Sequence, residues 1–290
     1  MIPTMSGLAR PEHLATTEWL EEQLGRQGIR VLDARWRPDG SAAEAYAAGH
    51  IPSAVLVDWR AELVESGEDG ETLRLTSPDG IAALAKRAGF GDGGTVVVYD
   101  DTQGLYAARV WWSLRAYGLE SVRILDGGYS TWAAEGRPLA HTSVDAAAAT
   151  AGNTTLFTPR GPNRMQLSTS DVRGLLGSPD VQLLDARAPA EYRGFEGNTR
   201  RLGHIPGAIN VPIGGMHQPG TQRLRDGDEL RDRLHAANVS RGRRMVAYDG
   251  SGVAAAKLAF VLTLLGHEDV AVYDGGWAEW GNRLDLPVDR

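Results

Sequence analysis

Apolar and polar positions recur in a fixed order along this chain: a short apolar run, a turn, then a longer stretch of helical character. Ile29–Asp33, Thr95–Tyr99 and Val122–Leu125 are rich in Val, Leu and Ile, which predicts strands buried on both faces. Ala107–Tyr117 reads as a helix stopped by Gly118. The later half repeats the order with strands at Val181–Leu184 and Met245–Tyr248. A helix from about Gly252 to Leu265, a stop at Gly266 and a strand at Val270–Tyr273 follow. Strand–helix–strand alternation of this kind predicts parallel sheets flanked by helices, an α/β fold. Ligands of such sheets lie beyond the carboxyl ends of the strands, which singles out the loop Tyr248-Asp-Gly-Ser-Gly252.

The repetition extends to motifs. Val31-Leu-Asp-Ala-Arg35 returns as Leu183-Leu-Asp-Ala-Arg187, and Gly49-His-Ile-Pro-Ser-Ala54 as Gly203-His-Ile-Pro-Gly-Ala208. Val96-Val-Val-Tyr-Asp100 returns as Met245-Val-Ala-Tyr-Asp249. Leu125-Asp-Gly-Gly-Tyr-Ser-Thr-Trp132 returns as Tyr273-Asp-Gly-Gly-Trp-Ala-Glu-Trp280. A preserved order with a shift of about 150 residues means domain duplication, since the period is far too long for a solenoid. The expected units are a first domain over 10–140, a small-residue polar linker over 141–164 and a second domain over 165–288.

Composition narrows the function. The 290 residues carry a net charge of −7, and no basic block stands out to neutralise phosphates, so a nucleic-acid partner is not expected. The arginine clusters Arg200-Arg201 and Arg241-Gly-Arg-Arg244 read as solvated loop charges. No apolar run approaches a membrane span, and the N-terminus lacks the basic and apolar regions of a secretory signal, so a cytoplasmic location is the expectation. The chain contains no cysteine. That excludes disulfides, thiolate metal sites and any persulfide or thioester intermediate.

Together these motifs resemble the two-domain rhodanese family of thiosulfate and mercaptopyruvate sulfurtransferases, over nearly the whole chain. Arg109-Val-Trp-Trp112 in the first half and Gly250-Ser-Gly-Val253 in the second belong to the same resemblance. It implies two tandem rhodanese-like domains of which only the second is catalytic. In that family a cysteine opens a loop of pattern Cys-Gly-Ser-Gly-Val-Thr. Its thiolate is cradled by backbone N–H groups at a helix N-terminus, takes sulfur from an anionic donor and hands it to an acceptor. No cofactor or metal is implied, and the histidine spacing shows no metal-ligand pattern.

The loop here is Asp249-Gly250-Ser251-Gly252-Val253-Ala254, with aspartate at the cysteine position and alanine at the threonine position. An upstream arginine that helps relatives bind the anionic donor is replaced by Glu191, beside Arg193. A carboxylate cannot relay sulfane sulfur through a stable intermediate, so ordinary sulfurtransfer is expected to be absent. The leading expectation is a repurposed enzyme acting on a small molecule in the interdomain cleft. Asp249 would serve as acid, base or nucleophile, with Glu191 and His217 as candidate catalytic partners. Gly250, Ser251, Gly252, Val253, Ala254, Arg187, Arg193 and Trp36 are the candidate substrate-binding residues. Alternatives are a catalytically silent binding or regulatory module, with Asp249 capping the loop as Asp100 would in the first half, and an active-site variant of a thiosulfate sulfurtransferase. His50 and His204 lie in a motif shared by both halves, which points to structural hydrogen bonds. The repeated Asp33/Arg35 and Asp185/Arg187 point to ion pairs at the strand ends.

Overall fold

A computed structural model of the protein describes residues 6–66, 73–142 and 157–290. The first half contributes β1 (Leu14–Ala15), β2 (Ile29–Asp33), β3 (Ala54–Leu56), β4 (Val64–Ser66), β5 (Leu73–Leu75), β6 (Thr95–Tyr99) and β7 (Val122–Leu125). The second contributes β8 (Gln166–Leu167), β9 (Val181–Asp185), β10 (Ile209–Asn210), β11 (Arg244–Tyr248) and β12 (Val270–Tyr273). One five-stranded sheet has the order β1-β7-β6-β2-β3 and the other β10-β9-β11-β12-β8, the same order read from opposite edges. Every pairing in both sheets is parallel. The small, separate β4–β5 pair is antiparallel. Two α/β domains with parallel sheets flanked by helices are therefore what the chain folds into.

Two helices form the seam between the domains, Leu105–Ala116 from the first and Val253–Leu264 from the second. Trp111 of one meets Phe260 of the other edge-on, with ring centroids 5.1 Å apart. From Val253 to Leu264 every side chain except the half-buried Ala254 is buried. A helix apolar all round belongs inside a protein rather than on its surface, and here both domains supply the surroundings. The N-terminal segment and the end of the linker both bridge the two halves. The Gly227 N–H donates to Ser6 O at 2.9 Å and the Ala9 N–H to Leu264 O at 2.9 Å, tying residues 6–10 to the second half. The Asn163 N–H donates to Ala116 O at 2.7 Å, tying the end of the expected linker to the first domain. Residues 143–156 of that linker lie outside the described residues.

Repeated motifs have repeated geometry. Asp33 and Arg35 are paired at 2.6 Å and Asp185 and Arg187 at 2.5 Å, all four buried. The arginines also donate to Gly49 O and Gly203 O, fastening each strand end to the Gly-His-Ile-Pro turn. His50 Nδ1 lies 2.9 Å from Tyr46 O and its ring stacks on Tyr46; His204 does the same with Tyr192. Both histidines are structural, as their presence in both halves suggested.

Candidate functional site

Asp249 follows β11, at the start of the loop that leads into Val253–Leu264. Gly252 there adopts φ 79°, in the left-handed region where only glycine is at ease, and turns the chain into the helix. That turn aims successive N–H groups back at the Asp249 side chain. Oδ1 accepts from Gly252 N–H at 2.6 Å and from Ala255 N–H at 3.4 Å, while Oδ2 accepts from Ala254 N–H at 3.3 Å. The carboxylate thus fills the anion cradle with a ligand from its own chain, and Asp249 is 6% exposed. Burial pushes its carboxyl up from the ordinary value, against the downward pull of the loop N–H groups.

The first half builds the same object. Asp100 Oδ1 accepts from Thr102 and Gly104 N–H, and Oδ2 from Tyr106 and Ala107 N–H, all within 2.9 Å. Behind each aspartate stands the second glycine of an Asp-Gly-Gly motif. Gly128 and Gly276 both have φ 55°, and a Cβ on either would overlap the carbonyl oxygen of Asp100 or Asp249. The aspartates of those motifs face the opposite domain: Asp126 Oδ1 accepts from Leu224 N–H at 2.9 Å and Asp274 Oδ2 from Leu75 N–H at 2.7 Å.

Each loop also receives a buried cation from the other domain. Arg109, 0% exposed, reaches out of the first domain and donates through Nη1 to Gly252 O at 3.2 Å. Its Nε and Nη2 have no hydrogen-bond acceptor, and its guanidinium lies over the Trp112 ring. Burial lowers its pKa, while the charges of Asp274 and Asp249 act to raise it. Lys257, at the corresponding position of the second helix, points the other way. Its ammonium is fully enclosed beside Gly104 and is stabilised by the charges of Asp100 and Asp126. Its Nζ lies 2.8 Å from His217 Nε2. Burial brings Lys257 down to about 7. Burial first and the Lys257 charge second bring His217 down to about 3, so His217 stays neutral beside the ammonium.

The expected catalytic trio is therefore not assembled. No hydrogen bond or ion pair joins Asp249, Glu191 and His217 among the described residues. His217 is committed to Lys257, and the segment around it meets the first domain's loop: Gln103 bonds to His217, Thr221 and Gln222. Glu191 is half-buried and accepts locally from Ala188 N–H at 3.3 Å. Arg187 is held by Asp185 and Gly203 O, with its guanidinium over Trp277, so its donors serve the scaffold. Arg193 is exposed. Trp36 packs on Trp59 and Tyr106, all within the first domain. Of the loop residues, Gly252 and Ala254 serve Asp249 through their N–H groups, and the half-buried Ser251 adds its N–H to the pull that lowers the Asp249 carboxyl; Gly250 has open space around its Cα. Neither Arg109 nor Lys257 was singled out from the sequence as a site residue. Lys257 had a signal, as the lone charge in an otherwise apolar helical run. Among the described residues no group of three or more His, Asp or Glu is placed to hold a metal ion.

The geometry, a duplicated Asp-capped loop at the strand ends of two parallel sheets, agrees with sequence comparison. The rhodanese-like domain family matches residues 16–135 and again 168–283. This chain is a member of the rhodanese family. SseB of Mycobacterium tuberculosis (strain ATCC 25618 / H37Rv), whose name places it among the thiosulfate sulfurtransferases, is 36% identical over 269 residues, 90% of this chain and 91% of SseB. The crystal structure of SseA from Escherichia coli, a 3-mercaptopyruvate sulfotransferase, superposes on this rhodanese with a TM-score of 0.79. It is 29% identical, and the match covers 91% of this chain and 98% of that one. EanB, solved with ergothioneine, has a TM-score of 0.79 at 24% identity over 96% of this chain and 70% of its own, a likeness of fold alone. No described helix is long and apolar enough to cross a membrane.

Proposed function

We propose that this rhodanese is a catalytically silent module in which Asp249 caps the former sulfur-relay loop. The observation that carries this reading is the equivalence of the two halves: Asp249 is bound by its loop N–H groups as Asp100 is by its own. The catalytic loop of a sulfurtransferase has acquired the closure of the non-catalytic one. With the cradle filled, Glu191 bonded locally and His217 turned to Lys257, no second acid or base is positioned against Asp249. What remains is a rigid two-domain body whose role is to bind, the chemistry having been removed.

A second reading, Asp249 as a general acid toward a small molecule between the domains, is favoured by one observation. Burial raises its carboxyl, and a protonated carboxylic acid is the form that donates.

The test uses the wild-type protein and two variants. The wild type is expected to give no thiocyanate from thiosulfate and cyanide and no pyruvate from 3-mercaptopyruvate. Asp249→Cys should gain the mass of one sulfur atom on exposure to thiosulfate. The thiolate attacks the sulfane sulfur, the S–S bond of thiosulfate breaks and sulfite leaves. Enzymatic turnover by the wild type would overturn the reading. A small-molecule turnover abolished in Asp249→Asn would favour the second reading over the first.

A further inference from the structure

The C-terminal ends of the two seam helices open onto a cationic hollow, at the far end from Asp249. A 12-residue helix spans about 18 Å, so this hollow is separate from the Asp249 loop. One chamber, of about 630 Å³, is lined by Arg10, Arg115, Arg164 and His267, with Glu268 its only acidic residue. A second, of about 350 Å³, is lined by Arg241, Arg243, Arg244 and Asp269 and shares His267 and Glu268 with the first. The two are thus adjoining parts of one depression.

Two features set this surface apart from an ordinary solvated patch. Four of its guanidiniums, Arg10, Arg164, Arg241 and Arg243, make no hydrogen bond, ion pair or ring contact with any described residue. Arg244 is neutralised by Asp269 at 3.6 Å, and Arg115 has Glu120 and Glu12 near it, but none of the four is in an ion pair with a described residue. Arg10 and Arg115 lie near enough that the charge of Arg10 adds to burial in depressing Arg115, against Glu120. The Arg115 Nε is buried without a partner. In a protein of net charge −7, six arginines around one concavity outnumber its two acidic lining residues, Glu268 and Asp269, and leave a local positive potential that favours an anion.

The second feature concerns the helix ends themselves. C-terminal carbonyls carry partial negative charge and normally repel anions. Here they are satisfied: Leu264 O accepts from the Ala9 and Arg10 N–H groups, Ala116 O from Asn163 N–H and Arg115 O from Asn163 Nδ2. The arginines are therefore not occupied as caps for those carbonyls.

We propose that this hollow is a binding site for a small oligophosphate, a molecule carrying a pyrophosphate or longer phosphate chain. Guanidinium forks match phosphate oxygens in geometry, and two adjoining chambers with free arginines in each suit charge spread over successive phosphates rather than a single one. The site is concave and bounded, and the acidic remainder of the molecule repels a long polyanion, so a nucleic acid is not the expected ligand.

Calorimetric titration of the full chain at low ionic strength with tripolyphosphate, pyrophosphate and orthophosphate tests this. Tripolyphosphate should bind at least tenfold more tightly than orthophosphate. Arg10→Gln/Arg164→Gln and Arg241→Gln/Arg243→Gln, which change exposed or half-buried side chains, should each weaken it tenfold or more. Arg26→Gln/Arg60→Gln, elsewhere on the surface, should leave it unchanged. Absence of binding, equal affinity in all variants, or equal affinity for the three phosphates would overturn the proposal. So would tighter binding of a single-stranded oligonucleotide with a salt slope steeper than about −3, the limit for four neutralised phosphates.

Discussion

Replacing Lys257 by methionine probes the exchange of buried cations across the seam. Lys257 Nζ is enclosed in the first domain's loop, and its hydrogen-bonding partner there is His217 Nε2 at 2.8 Å. Burial lowers Lys257 from 10.5 to about 7 even with Asp100 and Asp126 favouring the charge. At about 1.4 kcal/mol per tenfold change in proton affinity, holding the ammonium there costs about 5 kcal/mol below neutral pH. Methionine has nearly the same volume and no charge, so that cost disappears. Against it stands the buried His217 nitrogen left without a donor, about 1–3 kcal/mol, and Asp100 and Asp126 without their cation. Lys257→Met should therefore be neutral to about 3 kcal/mol more stable at pH 6, measured by urea unfolding. The pH dependence carries the sharper signature. Because the folded pKa is depressed, the unfolded chain binds the extra proton between about pH 7 and 10.5, so wild-type stability gains from this group as pH rises through that window. The variant should lose that gain. A destabilisation above about 2 kcal/mol, or an unchanged slope above pH 7, would refute the reasoning by showing that the ammonium is net stabilising in place.

Three further outcomes follow from the geometry. His217 is depressed from 6.5 to about 3, so the unfolded state takes up a proton first on acidification and stability should fall as pH drops below 6.5; His217→Gln should flatten that limb in acid unfolding curves. Gly276→Ala places a Cβ against the Asp249 carbonyl at φ 55° and should cost about 2–4 kcal/mol in chemical denaturation, whereas Gly250→Ala meets nothing and should stay within about 0.5 kcal/mol. In an Asp249→Cys background, Arg109→Met should raise the thiol pKa, read from the pH dependence of iodoacetamide alkylation, because Arg109 lies against that loop from the other domain.

Much of this architecture is visible in the chain itself. Strands such as Val270–Tyr273 and Thr95–Tyr99 are continuous apolar runs that leave one interpretation, and their structural bounds coincide with the sequence pattern. The repeated Asp-Ala-Arg and Gly-His-Ile-Pro motifs carried both the duplication and the family. The two-residue strands β1, β8 and β10 had no periodicity to read, because edge pairing alone defines them. The site was legible only in outline. Asp249 stood out because a cysteine was missing, but its bonding to Gly252, Ala254 and Ala255 depends on a left-handed turn at Gly252. The destinations of Arg109, Lys257 and His217 are set by how one domain docks on the other. In a helix apolar on every face Lys257 stands out as the lone charge, but nothing local says that it will cross the seam. His217 was placed near the second domain's loop by its position in sequence, and the docking turned it to the first.

The account stands or falls on what the Asp249 carboxylate does, and the unfolding free energy of Asp249→Ala measures that directly. A cap whose removal strands three loop N–H groups and takes a counter-charge from Arg109 should cost about 2–4 kcal/mol. Asp100→Ala should cost a similar amount, since it strands four such groups in the first half. A buried carboxylate kept for catalysis behaves oppositely, because active-site groups are held at the expense of stability. Equal losses at 249 and 100 are what the cap predicts; an Asp249→Ala protein as stable as the wild type, or more so, would contradict it.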